Sequence, residues 1–370
     1  MKTSKNHMIN TSKHQPASSN QIPETSIQPQ ASSSRPFIIP IFLPHAGCPH
    51  QCVFCNQVSI TGRILRAANA DQIRSQIHQF LEYKNGRRKP VQISFYGGNF
   101  LGLKIDEIKL LLDLASEFIS RGHVDSIRFS TRPDTITPER LDIIAAYPVE
   151  TVELGVQSMD DPVLALARRG HRAADTVRAV HQLKEHKYKI GLQMMVGLPG
   201  DTEALSLISA EKMAALHPDF VRIYPTLVLK DSRLAGWYRN GTYTPLCLAE
   251  AVTQVKKQYL LFKRHNIGVI RMGLQASEEL ADDSTVLAGP YHPAFGHMVY
   301  SEIFWDKVVE AIESATGVKD RLSILVSPRC ISKMRGLKNK NIDKLKKRYQ
   351  FKFIDVVPDN SLAPEELMVR

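Results

Sequence analysis

The sequence predicts an α/β protein with a parallel sheet, and three features carry that expectation. Short β-branched runs alternate with segments whose apolar residues recur at helical spacing, giving six β-α repeats that start at Phe37. The unusual polar and glycine-rich stretches directly follow the expected strands, on the rim where parallel α/β folds carry their sites. The 370 residues suffice for one large α/β domain plus a smaller one. The pattern alone leaves two architectures open, barrel-like or doubly wound.

Residues 1–35 are rich in Ser, Gln, Pro and Asn and contain no Phe, Tyr or Trp. Such a segment buries too little apolar surface to offset its ordering entropy, so a disordered tail is expected, with the fold starting at Pro36. The expected strands are Phe37–Leu43, Val91–Tyr96, Ser126–Thr131, Thr151–Gln157, Ile190–Val196 and Phe220–Tyr224. Between them Ile73, Ile77, Phe80 and Leu81, then Ile108, Leu111, Leu112, Phe118 and Ile119, share helix faces. Pro138 suits a first helical turn through its fixed φ, and residues 171–186 and 203–216 supply two more helices. After about residue 226 the rhythm changes to a helix at 248–265, a strand at 268–274 and a helix near 301–314. A terminal β-α-β unit follows, with strand 322–327, helix 341–349 and strand 351–357.

No apolar run approaches the ~20 residues of a membrane span, and no apolar segment follows the N-terminal lysines. Five cysteines, three of them clustered, make no disulfide framework, so a reducing cytoplasm is the expected compartment. The formal charge of +11 is uneven: residues 1–35 hold four basic and one acidic residue, hence +3. Residues 329–352 hold ten Lys or Arg and one acid, hence +9. A basic patch of that size suits a polyanion or a phosphorylated substrate, or forms a solvated helix face.

The stretch Cys48-Pro49-His50-Gln51-Cys52-Val53-Phe54-Cys55 opens a polar loop after the first strand. Three thiolates spaced C-x-x-x-C-x-x-C can face one centre and leave one position of a four-coordinate site open. The spacing departs from the C-x-x-C pairs of zinc ribbons, and it lacks the fourth thiolate of an electron-transfer iron–sulfur site. An open position points to chemistry rather than structure, although zinc with His45 or His50 as fourth ligand stays an alternative. Cys247 and Cys330 lack the spacing of a second cluster and are expected as buried thiols.

With Phe54 before the last cysteine, the motif resembles the signature of the radical S-adenosylmethionine (SAM) superfamily. Gly97-Gly98, Ser130-Thr131-Arg132-Pro133-Asp134, Glu153-Leu154-Gly155-Val156-Gln157-Ser158, Arg169-Gly170-His171 and Gly197-Leu198-Pro199-Gly200 follow in order. Together they resemble the branch that holds the Elongator catalytic subunit and oxygen-independent coproporphyrinogen dehydrogenase. The resemblance covers residues 36 to about 230. It implies a partial (β/α)6 TIM-like barrel over 36–230, with 231–370 as an extension that closes the barrel and ends in the small basic β-α-β unit. It also implies a 4Fe-4S cluster on Cys48, Cys52 and Cys55, with SAM on the fourth iron. One electron from reduced flavodoxin or ferredoxin would cleave SAM to a 5′-deoxyadenosyl radical that takes hydrogen from the substrate.

Carried over by position, Gly97 and Gly98 would let the backbone approach the methionyl amino group where a Cβ would block it. Asn99 stands where many relatives have glutamate, so that contact is expected to be neutral or made by backbone. Ser130 falls where coproporphyrinogen dehydrogenase-like proteins have a ribose-binding glutamate, and still offers a hydroxyl. The resemblance turns Gln157 toward the cofactor, pairs Arg169 with the methionyl carboxylate, and sets Gln193 at a ribose-binding aspartate position. Gly197 and Pro199 would wall the adenine. Arg132 is either a cofactor ligand or a partner of Asp134. Arg222, Tyr224, Arg271, Gln275, Tyr291, His292 and His297 are candidates for meeting substrate, and Arg329, Ser332, Arg335 and Gly336 for gripping an anion.

Three functions compete. The first is a radical enzyme that modifies RNA, suggested by the rim motifs together with the basic C-terminal unit. The second is a radical enzyme acting on a small molecule, a tetrapyrrole or a nucleotide, and the third a non-catalytic iron–sulfur or cofactor carrier. Against a full Elongator equivalence, the chain ends at Arg370 with no stretch that resembles an acetyltransferase domain, so acetyl transfer is not assumed.

Overall fold

The computed structural model describes residues 36–56, 69–83, 90–275, 280, 284–315 and 320–370; the expected N-terminal tail lies outside them. The chain begins with β1 (Phe37–Phe42), α1 (Ala70–Tyr83), β2 (Val91–Tyr96), α2 (Ile105–Ser120), β3 (Ser126–Thr131) and α3 (Pro138–Ala145). β4 (Val149–Gln157) is followed by α4 (Asp161–Leu166), α5 (Ala173–Glu185), β5 (Lys189–Val196), α6 (Glu203–Ala215) and β6 (Phe220–Pro225). Next come β7 (Val228–Leu229), α7 (Arg233–Arg239), α8 (Leu248–Arg264), β8 (Gly268–Met272), β9 (Val286–Ala288) and α9 (Phe295–Ser314). The chain closes with β10 (Arg321–Val326), α10 (Ile331–Arg335), α11 (Lys340–Tyr349), β11 (Phe353–Pro358) and β12 (Leu367–Val369).

Seven parallel strands form the main sheet in chain order, β1-β2-β3-β4-β5-β6-β8. A doubly wound sheet reverses its order at a switch point. An order that never reverses winds in one direction, as in a barrel, and the open choice left by the sequence is settled. Among the described residues β1 and β8 do not pair with each other, so the barrel is partial. All six expected strands are present. β8, which the sequence assigned to the extension, adds a seventh.

The two faces of the sheet differ. Ile39, Ile93, Phe95, Phe129, Val152 and Val221 pack with α1, α2 and the other helices in one hydrophobic core. Phe100, from the loop after β2, stacks between Phe95 and Phe129 with centroids 5.0 and 4.6 Å away, which anchors that loop in the core. The alternate positions carry Gln92, Tyr96, Arg128, Glu153, Gln193 and Arg222, whose hydrogen bonds and ion pairs to neighbouring strands place them on one common inner face. Strands buried on both faces in parallel sheets normally read as continuous apolar runs. A polar inner face therefore marks a lumen with work other than packing. Helix starts follow local chemistry: Thr137 caps α3 by accepting from the Arg140 N–H at 3.3 Å, with Pro138 next in line.

In the C-terminal part β10 pairs parallel with β11 and antiparallel with β12. The expected β-α-β unit is present. β12 was not foreseen, because three residues are too few for an alternation to register. α9 starts six residues earlier than its sequence pattern suggested. It joins two cores: Phe295, Val299 and Ile303 belong to the barrel, while Phe304 and Val308 pack with Leu322, Ile324 and Met334. Cys330 is buried as expected, but Cys247 is exposed, where its sulfur accepts the Glu250 N–H at 3.5 Å and caps α8. No helix among the described residues is long and apolar enough to cross a membrane.

The buried Asn341 amide ties the two helices of this part together, donating to Ser301 O at 2.8 Å and Met334 O at 3.0 Å. Asn341→Ala leaves both carbonyls without that donor and is expected to cost about 1–3 kcal/mol, measured as a lower denaturant midpoint at unchanged slope. An unchanged midpoint would show that the amide is not what joins α9 to α10.

Candidate functional site at the carboxyl rim

The cysteine loop is held by its backbone. Leu43 N–H donates to Tyr96 O at 2.7 Å and Asn99 N–H to Ala46 O at 2.8 Å, so the loop after β1 lies against the loop after β2. A Cβ on Gly98 would lie 2.2 Å from Ala46 O, and one on Gly47, at φ +70°, 2.2 Å from Asn99 O. Only glycine permits that approach. The fully buried Asn99 side chain locks it: Nδ2 donates to Gly47 O at 2.9 Å, while Oδ1 accepts from Thr131 Oγ1, Arg132 N and Thr135 Oγ1 at 2.7–3.0 Å.

Farther along, Val53 N–H donates to Ala167 O at 3.2 Å and Val53 O accepts from Leu234 N–H at 2.8 Å. Asn56 reaches Lys230 O at 2.7 Å. Val53 and Phe54 pack with Val163, Leu198, Leu234 and Tyr243, so α4, α7 and the connector after β6 close over the loop. Cys52 is buried, Cys55 half-buried and Cys48 exposed. Although Cys48 is open to solvent on one side, the protein packed behind it desolvates its thiolate and raises the thiol pKa, neighbouring Cys52 adds to the rise, and Arg132 and Arg169 oppose it. Among the described residues no three His, Cys, Asp or Glu side chains converge enough to hold a single ion. Thiolates that each take a different iron of a cubane need not share one point.

Behind the loop lie two buried arginines. Arg132, 4% exposed, pairs with Asp134 at 2.9 and 3.0 Å and donates to Arg169 O, leaving Nη1 without a partner. Arg169, 6% exposed, donates from Nη1 to Cys52 Sγ at 3.0 Å and from Nη2 to Gly155 O, leaving Nε without one. Gly170, at φ +72°, takes the His50 ring where a Cβ would stand. His171, 5% exposed, has neither ring nitrogen paired. The sequence quoted this histidine only as part of a motif; four orphaned nitrogens in one corner give it a reason.

On the lumen side Gln157 ends β4 at φ +69° and accepts from Gln193 Nε2 at 3.3 Å. Ser130, half-buried, borders a small cavity with Tyr96, Gly98 and Asn99. Deeper, Glu153 accepts from Arg222 Nη2 at 3.0 Å and from Tyr96 OH at 3.2 Å, and it is ion-paired with Arg222 Nε at 2.7 Å and Arg128 Nε at 3.4 Å. Burial opposes the Arg222 charge, but Glu153, Tyr224 and Tyr96 outweigh it and raise its pKa further. Sequence reasoning missed Glu153 and Arg128 as the partners that set this arginine. Beyond Gly197, Pro199 and Asp201 opens a cavity of about 430 Å³, bordered by Trp237 and Tyr243. Tyr243 OH donates to Gly197 O at 2.6 Å, and burial pushes the Asp201 carboxyl up to about 7. Arg329 stands just before α10, and Ser332 and Arg335 lie on it. Gln275, His292 and His297 are placed beyond β8 and toward α9, and His297 is bonded to the Ser332 backbone.

Burial, then Arg169 and Arg132, lower His171 from 6.5 to about 4. The unfolded chain takes this proton near pH 6.5 and the native state resists it until about 4, so acid favours unfolding across that window. Stability is expected to fall by about 3 kcal/mol between pH 6.5 and 4 through this group alone. His171→Gln should flatten that part of the profile, and an identical profile would show that His171 is protonated in the native state.

Comparison with known proteins fits this geometry. Residues 42–205 match the radical SAM superfamily model and residues 218–304 the radical SAM C-terminal domain, together more than half of the chain. An uncharacterized protein of Methanocaldococcus jannaschii is 29% identical over 210 residues, 54% of this chain and 64% of that protein. The tRNA uridine(34) acetyltransferase of Methanocaldococcus infernus is 27% identical over 270 residues, 62% of this chain and 50% of that enzyme. The chain thus spans between half and two thirds of these curated relatives. Among solved structures, archaeal Methanocaldococcus infernus Elp3 with its N-terminus (1–46) deleted superposes with a TM-score of 0.58 at 20% identity. That match covers 74% of this chain and 64% of the other, and it supports the partial-barrel fold. The chain belongs to the radical SAM superfamily, whose enzymes work with a 4Fe-4S cluster and SAM.

Proposed function

We propose that Cys48, Cys52 and Cys55 hold the cluster, that SAM binds beside it, and that the substrate is RNA or another anionic molecule. The observation behind the cofactor assignment is the corner of unpaired buried nitrogens: Arg132 Nη1, Arg169 Nε and the His171 ring. A carboxylate matches such donors, and SAM carries one. Gly97 and Gly98 would present their backbone to the methionyl amino group, and the close packing of Gly98 on Ala46 O holds that backbone in place. When bound and reduced by one electron from a donor protein, cluster and SAM supply cleavage of a carbon–sulfur bond and hydrogen-atom abstraction.

The chain's residues position that chemistry. Arg169 donates to Cys52 Sγ, and hydrogen bonds to ligand sulfur tune a cluster's potential. Asn99 spends its amide on Gly47 and the Thr131–Thr135 turn, so it positions the rim instead of touching SAM. Ser130, Gln157 and Gln193 offer a hydroxyl and two amides to the ribose from the lumen. Gly197 and Pro199 border the cavity that would take the adenine. Clustered thiols that must stay reduced suit a cytoplasmic enzyme.

Two observations support RNA. Relatives of this chain are tRNA uridine(34) acetyltransferases. In the basic unit Lys344, Arg348 and Lys352 pair with Glu302, Glu313 and Asp320. Arg329, Lys338, Lys340, Lys346 and Lys347 form no ion pair among the described residues, so positive charge remains for a phosphate backbone.

Anaerobic reconstitution with iron and sulfide, then reduction with SAM present, is expected to yield 5′-deoxyadenosine. Cys48→Ala, Cys52→Ala and Cys55→Ala should each lose iron and product together. An intact cluster that releases no 5′-deoxyadenosine would leave the carrier reading in its place. Exchange of Lys338, Lys340, Lys346 and Lys347 for Gln should weaken RNA binding and lower the slope of log affinity against log salt by about 3. Unchanged slope and affinity would remove RNA and leave a small molecule, a tetrapyrrole or a nucleotide.

A further inference from the structure

The last strand of the barrel breaks its own alternation. Val221 pairs with Val269 across β6 and β8, but the next partners are Arg222 with Arg271 and Ile223 with Met272. Ile270 is therefore an extra residue on β8, bulged and 47% exposed. Strict alternation would send Arg271 to the inner face only if Val269 went there too. Val269 instead packs on the core, as does Met272. The bulge lets both apolar neighbours face the core while Arg271 shares the face of Arg222. Bulges that re-aim one side chain recur beside functional sites.

Among the described residues the charges on that face do not balance. Glu153 already serves Arg128, Arg222 and Tyr96. Glu150, lower in the lumen, is held by Lys189, Ser126 and Gln92. Arg271 is half-buried and makes no hydrogen bond or ion pair among the described residues. It stands one strand from Arg222, whose guanidinium also donates to Tyr224 OH at 3.3 Å. Neighbouring strands run about 5 Å apart, so the two guanidinium stems start close together with one carboxylate between them and Arg128. Tyr224 accepts that bond and keeps its own proton for another acceptor.

We infer that the lumen face between β6 and β8 binds an anionic group of the substrate, a phosphate or a carboxylate. Arg271 grips it through its planar fork, with Arg222 and the Tyr224 hydroxyl behind it. The inference rests on the reading of the rim as the reaction site, and adds a charge requirement on the part of the substrate that enters the barrel. The site is separate from the surface lysines of α11. Those would hold a polyanion outside, whereas this one selects what reaches the lumen.

Isothermal titration of the full chain with inorganic phosphate, and with acetate at the same ionic strength, tests the site without any SAM cleavage. Arg271→Gln is expected to weaken binding about tenfold or more, and Arg271→Lys to retain part of it. The Lys109→Gln/Lys184→Gln double variant, which removes exposed charge from the outer helices α2 and α5 only, should change it less than about twofold. Tighter phosphate than acetate assigns a phosphorylated group, and the reverse order a carboxylate. No binding of either anion, full affinity in Arg271→Gln, or loss in the surface variant would each overturn the site. Unfolding midpoints of both Arg271 variants, matched to wild type, separate lost binding from lost structure. Failure here leaves the cofactor assignment standing, and a chain that cleaves no SAM can still show this site.

Discussion

The rim depends on one buried amide. Asn99 donates to the Gly47 carbonyl and accepts from three groups of the 131–135 turn, so it joins the loops after β1, β2 and β3. An ionised glutamate could not take this place, because a carboxylate only accepts and Gly47 presents a carbonyl. The departure from glutamate at this position thus has a physical content: the residue changes from a group that can meet a ligand to one that ties backbone. Each unsatisfied buried partner would cost about 1–3 kcal/mol, which is enough to keep the three loops in one arrangement. The glycines on either side follow from the same contact, since Gly47, Gly98 and Gly102 would each drive a Cβ into backbone or into the Asn99 amide.

From that tie the electrostatics run inward in order. Arg132 is set by Asp134, Arg169 by Arg132 through its carbonyl, and the Cys52 sulfur by Arg169. In the lumen Glu153 fixes Arg222 and Arg128. A buried ion pair of this kind adds little stability over an apolar pair of the same size, but removing one partner costs about 3–5 kcal/mol. Its value to the protein is therefore placement of charge. The barrel turns a surface that parallel sheets usually fill with Val and Ile into a polar wall reaching from Gln92 to Arg271.

Much of this was legible in the sequence. The six strands, the side of the sheet that carries the site and the cysteine loop follow from periodicity and from the positions of Gly and polar residues, while Arg132 stayed open between a cofactor ligand and a partner of Asp134. What stayed hidden is what depends on cross-strand register. No local pattern says that β8 pairs with β6, or that Ile270 is an extra residue, because a bulge is defined by the partner strand. The full length of α9 was masked by its start: Phe295, Gly296 and His297 come straight after a Gly- and Pro-rich loop, and propensity there is weak. Asn99 was noticed, but its role needed two loops that are fifty residues apart in sequence to be seen in contact.

Backbone strain sharpens the same distinction. Among residues with side chains at positive φ, Arg168, Lys187, His217, Asn266 and Gln350 each follow a helix, where the left-handed conformation is an ordinary way to end it. Gln157 has no such reason. It ends a strand, at φ +69°, one residue past a register shift in β4. A left-handed residue that is not glycine costs about 1–2 kcal/mol, and glycine at this position would remove the cost. Gln157 keeps a side chain there and turns it toward Gln193, on the lumen side of the rim. The strain and the amide belong together: the bend in β4 is what brings the amide to the wall, and the wall is where the barrel's polar groups meet the cysteine loop through Gly155 and Arg169.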